Sequence, residues 1–175
     1  MGDELAKTIE FHHILGNKYL IVPWIPEEYR SSRDAWLRTA DLFNEIAAKL
    51  EPEGMFTGYH NHHVEFQPYE DGMTPWDVLF SNTRPEVVMQ LDVGNCLHGG
   101  GDPITYLRRY PGRAKTLHLK DYAADREDVL VGEGDVNWPE IFEIVESQGA
   151  TEWYIVEQER YPYPPLESVR RCLQN

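Results

Sequence analysis

Four residues close four short β-rich runs with groups that bind metals or move protons. They are His60 after Gly58-Tyr59, Asp92 after Gln90-Leu91, His118 after Thr116-Leu117, and Glu157 after Ile155-Val156. Two imidazoles and two carboxylates form a nitrogen and oxygen donor set suited to Mn²⁺, Zn²⁺, Co²⁺ or Mg²⁺. The same groups serve as general acids and bases. A polar residue at the end of one strand is commonplace. Four in succession give the pattern its weight.

Other chemistry-bearing residues surround these four. Tyr59-His60-Asn61-His62-His63-Val64-Glu65-Phe66 holds three of the chain's seven histidines. It reads as a metal and substrate wall, with His63 equally a solvated loop residue. His118-Leu119-Lys120-Asp121 places His118 and Lys120 on the same side of an extended chain. There Lys120 either holds an anionic substrate group, polarises a hydroxyl, or simply pairs with Asp121. Arg160 and Arg126 are further cations. Trp24 follows the first strand and reads either as a wall for a sugar ring or as packing. Gly132-Glu133-Gly134-Asp135 reads as a turn, with glycines permitting positive φ. His12 and His13 fall in the first helix and read as structural. Cys96 has no evident His partner for nucleophilic chemistry.

The elements that must position these residues alternate regularly. Helix-period spacing predicts a helix over Glu4 to Leu15, stopped by Gly16, and another over Ser32 to Leu50. In the latter, Ser32 is the N-cap and Pro52 with Gly54 marks the end. Thr74-Pro75-Trp76 and Asp102-Pro103 are cap-then-proline helix starts. Further helices are predicted over Trp138 to Gln148 and Leu166 to Leu173, and Gly94 to Gly101 reads as a glycine-rich loop. Strands are predicted over Lys18 to Val22, Met55 to His60, Glu86 to Asp92, Ala114 to Leu119 and Trp153 to Glu157. One helix followed by five βα units implies parallel strands with right-handed crossovers, in a single domain over residues 1–175.

Two architectures fit. A five-stranded doubly wound sheet suits the length of 175 residues. A (β/α)₈ barrel needs about 250 residues, but it brings all C-terminal strand ends to one mouth, where four donors can converge on one ion. In an open sheet they stand in a row. The donors therefore favour the barrel.

Composition narrows the partners. Sixteen Lys and Arg against thirty Asp and Glu give a net charge of −14. That balance argues against a nucleic-acid-binding surface and against docking on anionic lipid. The longest apolar run, Tyr19 to Ile25, is interrupted by Pro23 and is far short of the roughly 20 residues that span a bilayer. Two cysteines do not make a disulfide framework, and no signal-peptide pattern opens the chain. The expectation is a cytoplasmic protein.

The motifs together resemble the xylose isomerase-like TIM-barrel superfamily, and within it the sugar phosphate isomerases/epimerases. The resemblance rests on Tyr59 to Phe66, Leu91-Asp92-Val93-Gly94-Asn95, Gly99 to Pro103, Leu117 to Asp121, Val131-Gly132-Glu133-Gly134 with Trp138, and Ile155-Val156-Glu157, in this order. It implies a divalent metal at the barrel mouth, held by Asp92, His118, Glu157 and a fourth residue. The family usually has Glu at that fourth position. Here His60 occupies it, with Glu65 and His62 as alternatives.

The implied reaction is isomerisation or epimerisation of a keto-sugar or sugar phosphate through an enediolate. Glu157 would ligate metal and move a proton, His60 or His62 would be the partner acid/base, and Lys120 would orient substrate. Trp24, Asn61, Asn95 and Arg160 complete the candidate substrate contacts. A keto-sugar or keto-inositol dehydratase shares the same site. A repair nuclease of the superfamily conflicts with the charge. A non-catalytic barrel fragment is the alternative from a different class.

Against the resemblance stands the length. The five strands correspond to strands four to eight of the family barrel, leaving two open edges. The chain is then a piece of a larger protein, is completed by a second copy in a homo-oligomer, or closes differently.

Overall fold

Strand order decides between the two architectures. In this computed structural model, which describes residues 2–175, five strands form one sheet in the order β1-β2-β3-β4-β5. They are β1 (Tyr19–Val22), β2 (Phe56–His60), β3 (Val88–Asp92), β4 (Thr116–Leu119) and β5 (Trp153–Val156). Every neighbouring pair is parallel. A doubly wound sheet reverses its order at a switch point. Here order follows sequence without reversal, the arrangement of successive staves in a barrel. The result is a half-barrel of parallel strands with helices around it.

The helices are α1 (Gly2–Leu15), α2 (Arg33–Leu50), α3 (Pro75–Ser81), α4 (Val93–His98), α5 (Pro103–Arg109), α6 (Trp138–Gln148) and α7 (Pro165–Cys172). The starts of α2, α3 and α5 follow the expected capping chemistry. The Ser32 side chain accepts a hydrogen bond from the Ala35 N–H. Thr74 and Asp102 accept from Asp77 and Ile104, each followed by proline at the first helical position. Gly16 after α1, and Gly54 after the 3-10 turn Glu51–Glu53 that follows α2, take the positive φ that turns the chain sharply toward the next strand.

One element departs from the expectation. The glycine-rich stretch after β3 is not wholly loop, because Val93–His98 forms α4. Its N-cap is Asp92, whose carboxylate accepts from the Asn95 N–H at 2.7 Å. Gly94 is required there, since a Cβ would sit 2.7 Å from the Asp121 carbonyl oxygen and 2.8 Å from that of Lys120.

Alternation along the strands sends one set of side chains outward into the core and the other toward the barrel axis. Tyr59 of β2 is fully buried against Trp36 and Phe43 of α2 and Trp76 of α3. Leu91 and Leu117 occupy equivalent buried positions on β3 and β4. The central strands are well covered, whereas β5 begins with exposed Trp153 and Tyr154. The first and last strands approach each other at their N-terminal ends, where Lys18 Nζ lies 2.8 Å from a Glu152 carboxylate oxygen. Next to this bridge, α1 and the inner faces of β1 and β5 enclose an apolar cleft of about 590 Å³. Among the described residues no helix is long and apolar enough to cross a membrane.

Candidate metal centre

The register of the sheet assembles the donors. His60 on β2 lies opposite Gln90 rather than Asp92, and His118 on β4 lies opposite Ile155 rather than Glu157. Asp92 and His118 lie directly opposite each other. The donor therefore moves two residues along at two of the three steps, so each stays on the inward-facing set. This stagger belongs to a curling parallel sheet. It brings one ligand atom each from His60, Asp92, His118 and Glu157 within 4.8 Å of one another.

Asp92 is fully buried and His60 nearly so. The His60 and His118 ring centroids are 4.5 Å apart. His118 Nδ1 meets Glu157 Oε2 at 2.6 Å, and Lys120 Nζ donates to Glu157 Oε1 at 3.1 Å. Lys120 also pairs with Glu159. Its companion is thus not Asp121, whose carboxylate is taken by the Trp138 Nε1–H at 2.8 Å and the Gly132 N–H at 2.7 Å. Those bonds fold the β4–α6 segment back over the strand end. Gly132 has the positive φ expected of the turn. Gly134 is required for a different reason, because a Cβ there would lie 2.2 Å from Asp121 Oδ1.

The environment separates the four groups electrostatically. Burial, reinforced by the neighbouring His118, lowers His60 from 6.5 to about 4, so its ring is neutral near pH 7. Burial raises Asp92 to about 8, against the pull of its hydrogen bond from Asn95. The His118 hydrogen bond holds Glu157 down at about 2, and Lys120 adds to the effect. Burial alone would lower Lys120, but Glu159, Asp92 and Glu157 outweigh it and raise it, so it stays cationic.

The donor set fits a divalent cation. His60 Nδ1 and Asp92 Oδ2 are buried without any hydrogen-bond partner, as is Nδ1 of nearby His62. An unsatisfied buried polar atom costs about 1–3 kcal/mol, and a cation shared by the donors would relieve that cost. Two neutral-capable imidazoles and two carboxylates are the ligand types of borderline and hard divalent ions.

The remaining candidates are distributed unevenly. Glu65, the alternative to His60 as ligand, lies outside the converging group, and each of its oxygens accepts a hydrogen bond elsewhere. It is fully buried, with Oε1 accepting from Tyr59 Oη at 2.9 Å and Oε2 from the His62 N–H at 2.8 Å. It shapes the loop that presents His62. Asn61, expected to face substrate, is also fully buried. Its Oδ1 accepts from the Asp92 N–H and its Nδ2 donates to the Asp92 carbonyl, so it clamps the end of β2 to β3.

His62 stands edge-on to both His60 and Trp24, with centroids 5.2 and 5.0 Å apart. Trp24 is 46% exposed, and Arg30 lies 4.0 Å over its ring. His63 stacks on His98 instead of reaching the donors. Asn95, Lys120 and Arg160 line a cleft of about 440 Å³ beside the donors. Two further residues join the site without belonging to any sequence motif, Glu159 beside Lys120 and Arg30 over Trp24. The i, i+2 spacing of Glu157 and Glu159 carries the signal for the first, whereas nothing in the sequence links Arg30 to Trp24.

A parallel half-barrel with metal-type donors gathered at its C-terminal strand ends defines a class of barrel protein with its site at the mouth. The chain belongs to the xylose isomerase-like TIM barrel family, whose sequence profile matches residues 3–174. It is 28% identical to an inosose dehydratase of Clostridium beijerinckii, over 87% of this chain and 61% of that protein. It is also 28% identical to a sugar phosphate isomerase/epimerase of Parabacteroides distasonis, whose crystal structure superimposes with a TM-score of 0.82 over 98% of this chain and 63% of that one. The fold is shared as well with the IOLI protein, whose structure has a bound zinc atom, at 18% identity, with a TM-score of 0.74 over 98% of this chain and 66% of that one. The chain thus spans about three fifths of the length of these first two relatives.

Proposed function

We propose that the chain carries the metal-binding and proton-transferring part of an isomerase or epimerase acting on a keto-sugar or sugar phosphate through an enediolate. On this reading its five strands are the last five of an eight-stranded barrel. The observation that carries the proposal is the convergence of His60, Asp92, His118 and Glu157 within 4.8 Å. His60, Asp92, His118 and Glu157 would hold a divalent ion. When bound, that ion supplies Lewis-acid polarisation of a substrate carbonyl and its neighbouring hydroxyl.

The chain's own residues supply the rest. Glu157, kept ionised by His118 and Lys120, is the base suited to take the proton α to the carbonyl. His62, with its buried Nδ1 unpartnered beside His60, is the acid/base partner on the other side. A histidine pair thus stands where a second carboxylate would complete a symmetric proton shuttle. Lys120 is a fixed cation that orients a substrate oxygen. Trp24 offers an exposed aromatic face to the ring, and Asn95 and Arg160 contact its far hydroxyls.

A second reading is a dehydratase. It begins with the same α-proton removal and ends with departure of the β-hydroxyl as water after protonation by His62 or Lys120. The relatives named inosose dehydratase favour it. Incubating the metal-loaded chain in D₂O with a panel of ketoses and an inosose separates the two. An isomerase or epimerase incorporates deuterium and conserves the substrate's composition, and a dehydratase yields a product lacking one water. Metal uptake with neither outcome on any ketose contradicts both and leaves a non-catalytic barrel.

A further inference from the structure

An arginine from the segment between β1 and α2 sets the geometry at the edge of the donor cluster. The inference rests on the keto-sugar reading above, in which His62 is the acid/base partner. We propose that Arg30 is a positioning residue: stacked on Trp24, it fixes the indole against His62 and so holds the His62 ring beside His60.

Packing, more than hydrogen bonding, orients the His62 side chain. Its backbone N–H is held by Glu65 Oε2 at 2.8 Å, but its Nδ1 is buried without a hydrogen-bond partner. The imidazole stands edge-on to two rings, with centroids 5.2 Å from His60 and 5.0 Å from Trp24. His60 is buried at the end of β2 and is a fixed neighbour. Trp24 is 46% exposed, and a side chain open to solvent on one side changes rotamer readily unless something holds it.

Arg30 supplies that hold. Its Cζ lies 4.0 Å from the centroid of the Trp24 ring, and its Nε donates to the Ile25 carbonyl at 3.1 Å. The guanidinium is thus anchored to the residue that follows the one it covers. A planar cation over an indole face is a favourable pairing, and a lysine reproduces only its charge. The backbone beneath is also fixed. The Arg30 N–H donates to the Glu27 carbonyl at 2.9 Å and closes the 3-10 turn Glu27–Tyr29. Thr39 of α2 donates to the Tyr29 carbonyl at 2.7 Å, and Ile25 is buried in the core. Rigidity passes from α2 through Arg30 and Trp24 to His62, the kind of packing support that locks a functional rotamer.

Ring geometry is tested first and activity second. The NOE between the Trp24 and His62 ring protons is measured by NMR on isotope-labelled chain, in chelator and at one pH. The unaltered chain is compared with Arg30→Met, Arg30→Lys and Ser32→Ala, the last of which removes the N-cap of α2 and leaves the stack untouched. Trp24→Leu and His62→Gln assign the signals. Arg30→Met should lose most of the NOE and move the His62 signals toward their positions in Trp24→Leu. Arg30→Lys should keep part of it, and Ser32→Ala all of it. Deuterium uptake by a ketose that the unaltered metal-loaded chain exchanges should fall about tenfold in Arg30→Met. An NOE unchanged in Arg30→Met, or lost equally in Ser32→Ala, overturns the inference, and so does an unchanged exchange rate. The keto-sugar reading survives all three. A stack that responds as expected in a chain that exchanges no ketose overturns that reading and leaves the placement of His62 by Arg30 standing.

Discussion

His118 Nδ1 and Glu157 Oε2 lie 2.6 Å apart, joining the end of β4 to the end of β5. The contact makes the last strand part of the site as well as of the sheet. It also keeps Glu157 ionised while Asp92, a few ångströms away, is pushed toward its protonated form. Two carboxylates in one cluster thus differ in proton affinity because one has cationic or hydrogen-bonding neighbours and the other is buried.

That difference gives the metal-free chain a pH dependence. Unfolded Asp92 releases its proton near 3.8, whereas folded Asp92 keeps it until about 8. Between those values the folded state holds the extra proton, so stability falls as pH rises. His60 acts oppositely, because its value drops from 6.5 to about 4 on folding. The two effects cancel up to about pH 6.5, and above it only the Asp92 effect remains. Urea unfolding in chelator should therefore show stability falling from pH 6.5 to 8, by about 1–2 kcal/mol at up to ~1.4 kcal/mol per unit. Asp92→Asn should abolish the fall.

Glu65 should matter for stability and not for metal. Glu65→Gln leaves one acceptor for two donors and turns an amide N–H₂ toward either Tyr59 Oη or the His62 N–H. The expected loss is about 1–3 kcal/mol in urea unfolding, with metal content per folded chain unchanged. A loss of metal at full folding would place Glu65 among the ligands.

Asp121 should act as the latch of the β4–α6 segment. Its carboxylate accepts from Trp138, Gly132 and Tyr122. Asp121→Ala leaves the buried Trp138 Nε1–H and the part-buried Gly132 and Tyr122 N–H groups without their acceptor and should cost about 1–3 kcal/mol. Limited proteolysis should then cut between residues 122 and 137 much faster than in the unaltered chain. Equal cutting rates would contradict the latch.

Much of this arrangement is legible in the sequence because it follows from short-range rules. Strand alternation sends His60, Asp92, His118 and Glu157 to one face, and Ser32, Thr74-Pro75 and Asp102-Pro103 announce their helices. The rest depends on contacts between distant segments. α4 is hidden because Gly94 and the glycines from Gly99 onward read as loop, while its cap is a residue that also belongs to the donor cluster. Asn61 and Glu65 have the right chemistry for the site, and only the fold shows that their polar atoms are spent on Asp92, Tyr59 and His62. The partner of Lys120 was equally hidden, since Asp121 adjoins it in sequence but is claimed by Trp138.

Metal analysis tests the central claim most directly. The purified chain is loaded with Zn²⁺ or Mn²⁺, dialysed, and measured beside a variant carrying both Asp92→Asn and His118→Gln, with circular dichroism confirming that each is folded. The account predicts about one tightly held ion per unaltered chain and none in the folded double variant. Equal metal content in the two would contradict the site built from His60, Asp92, His118 and Glu157.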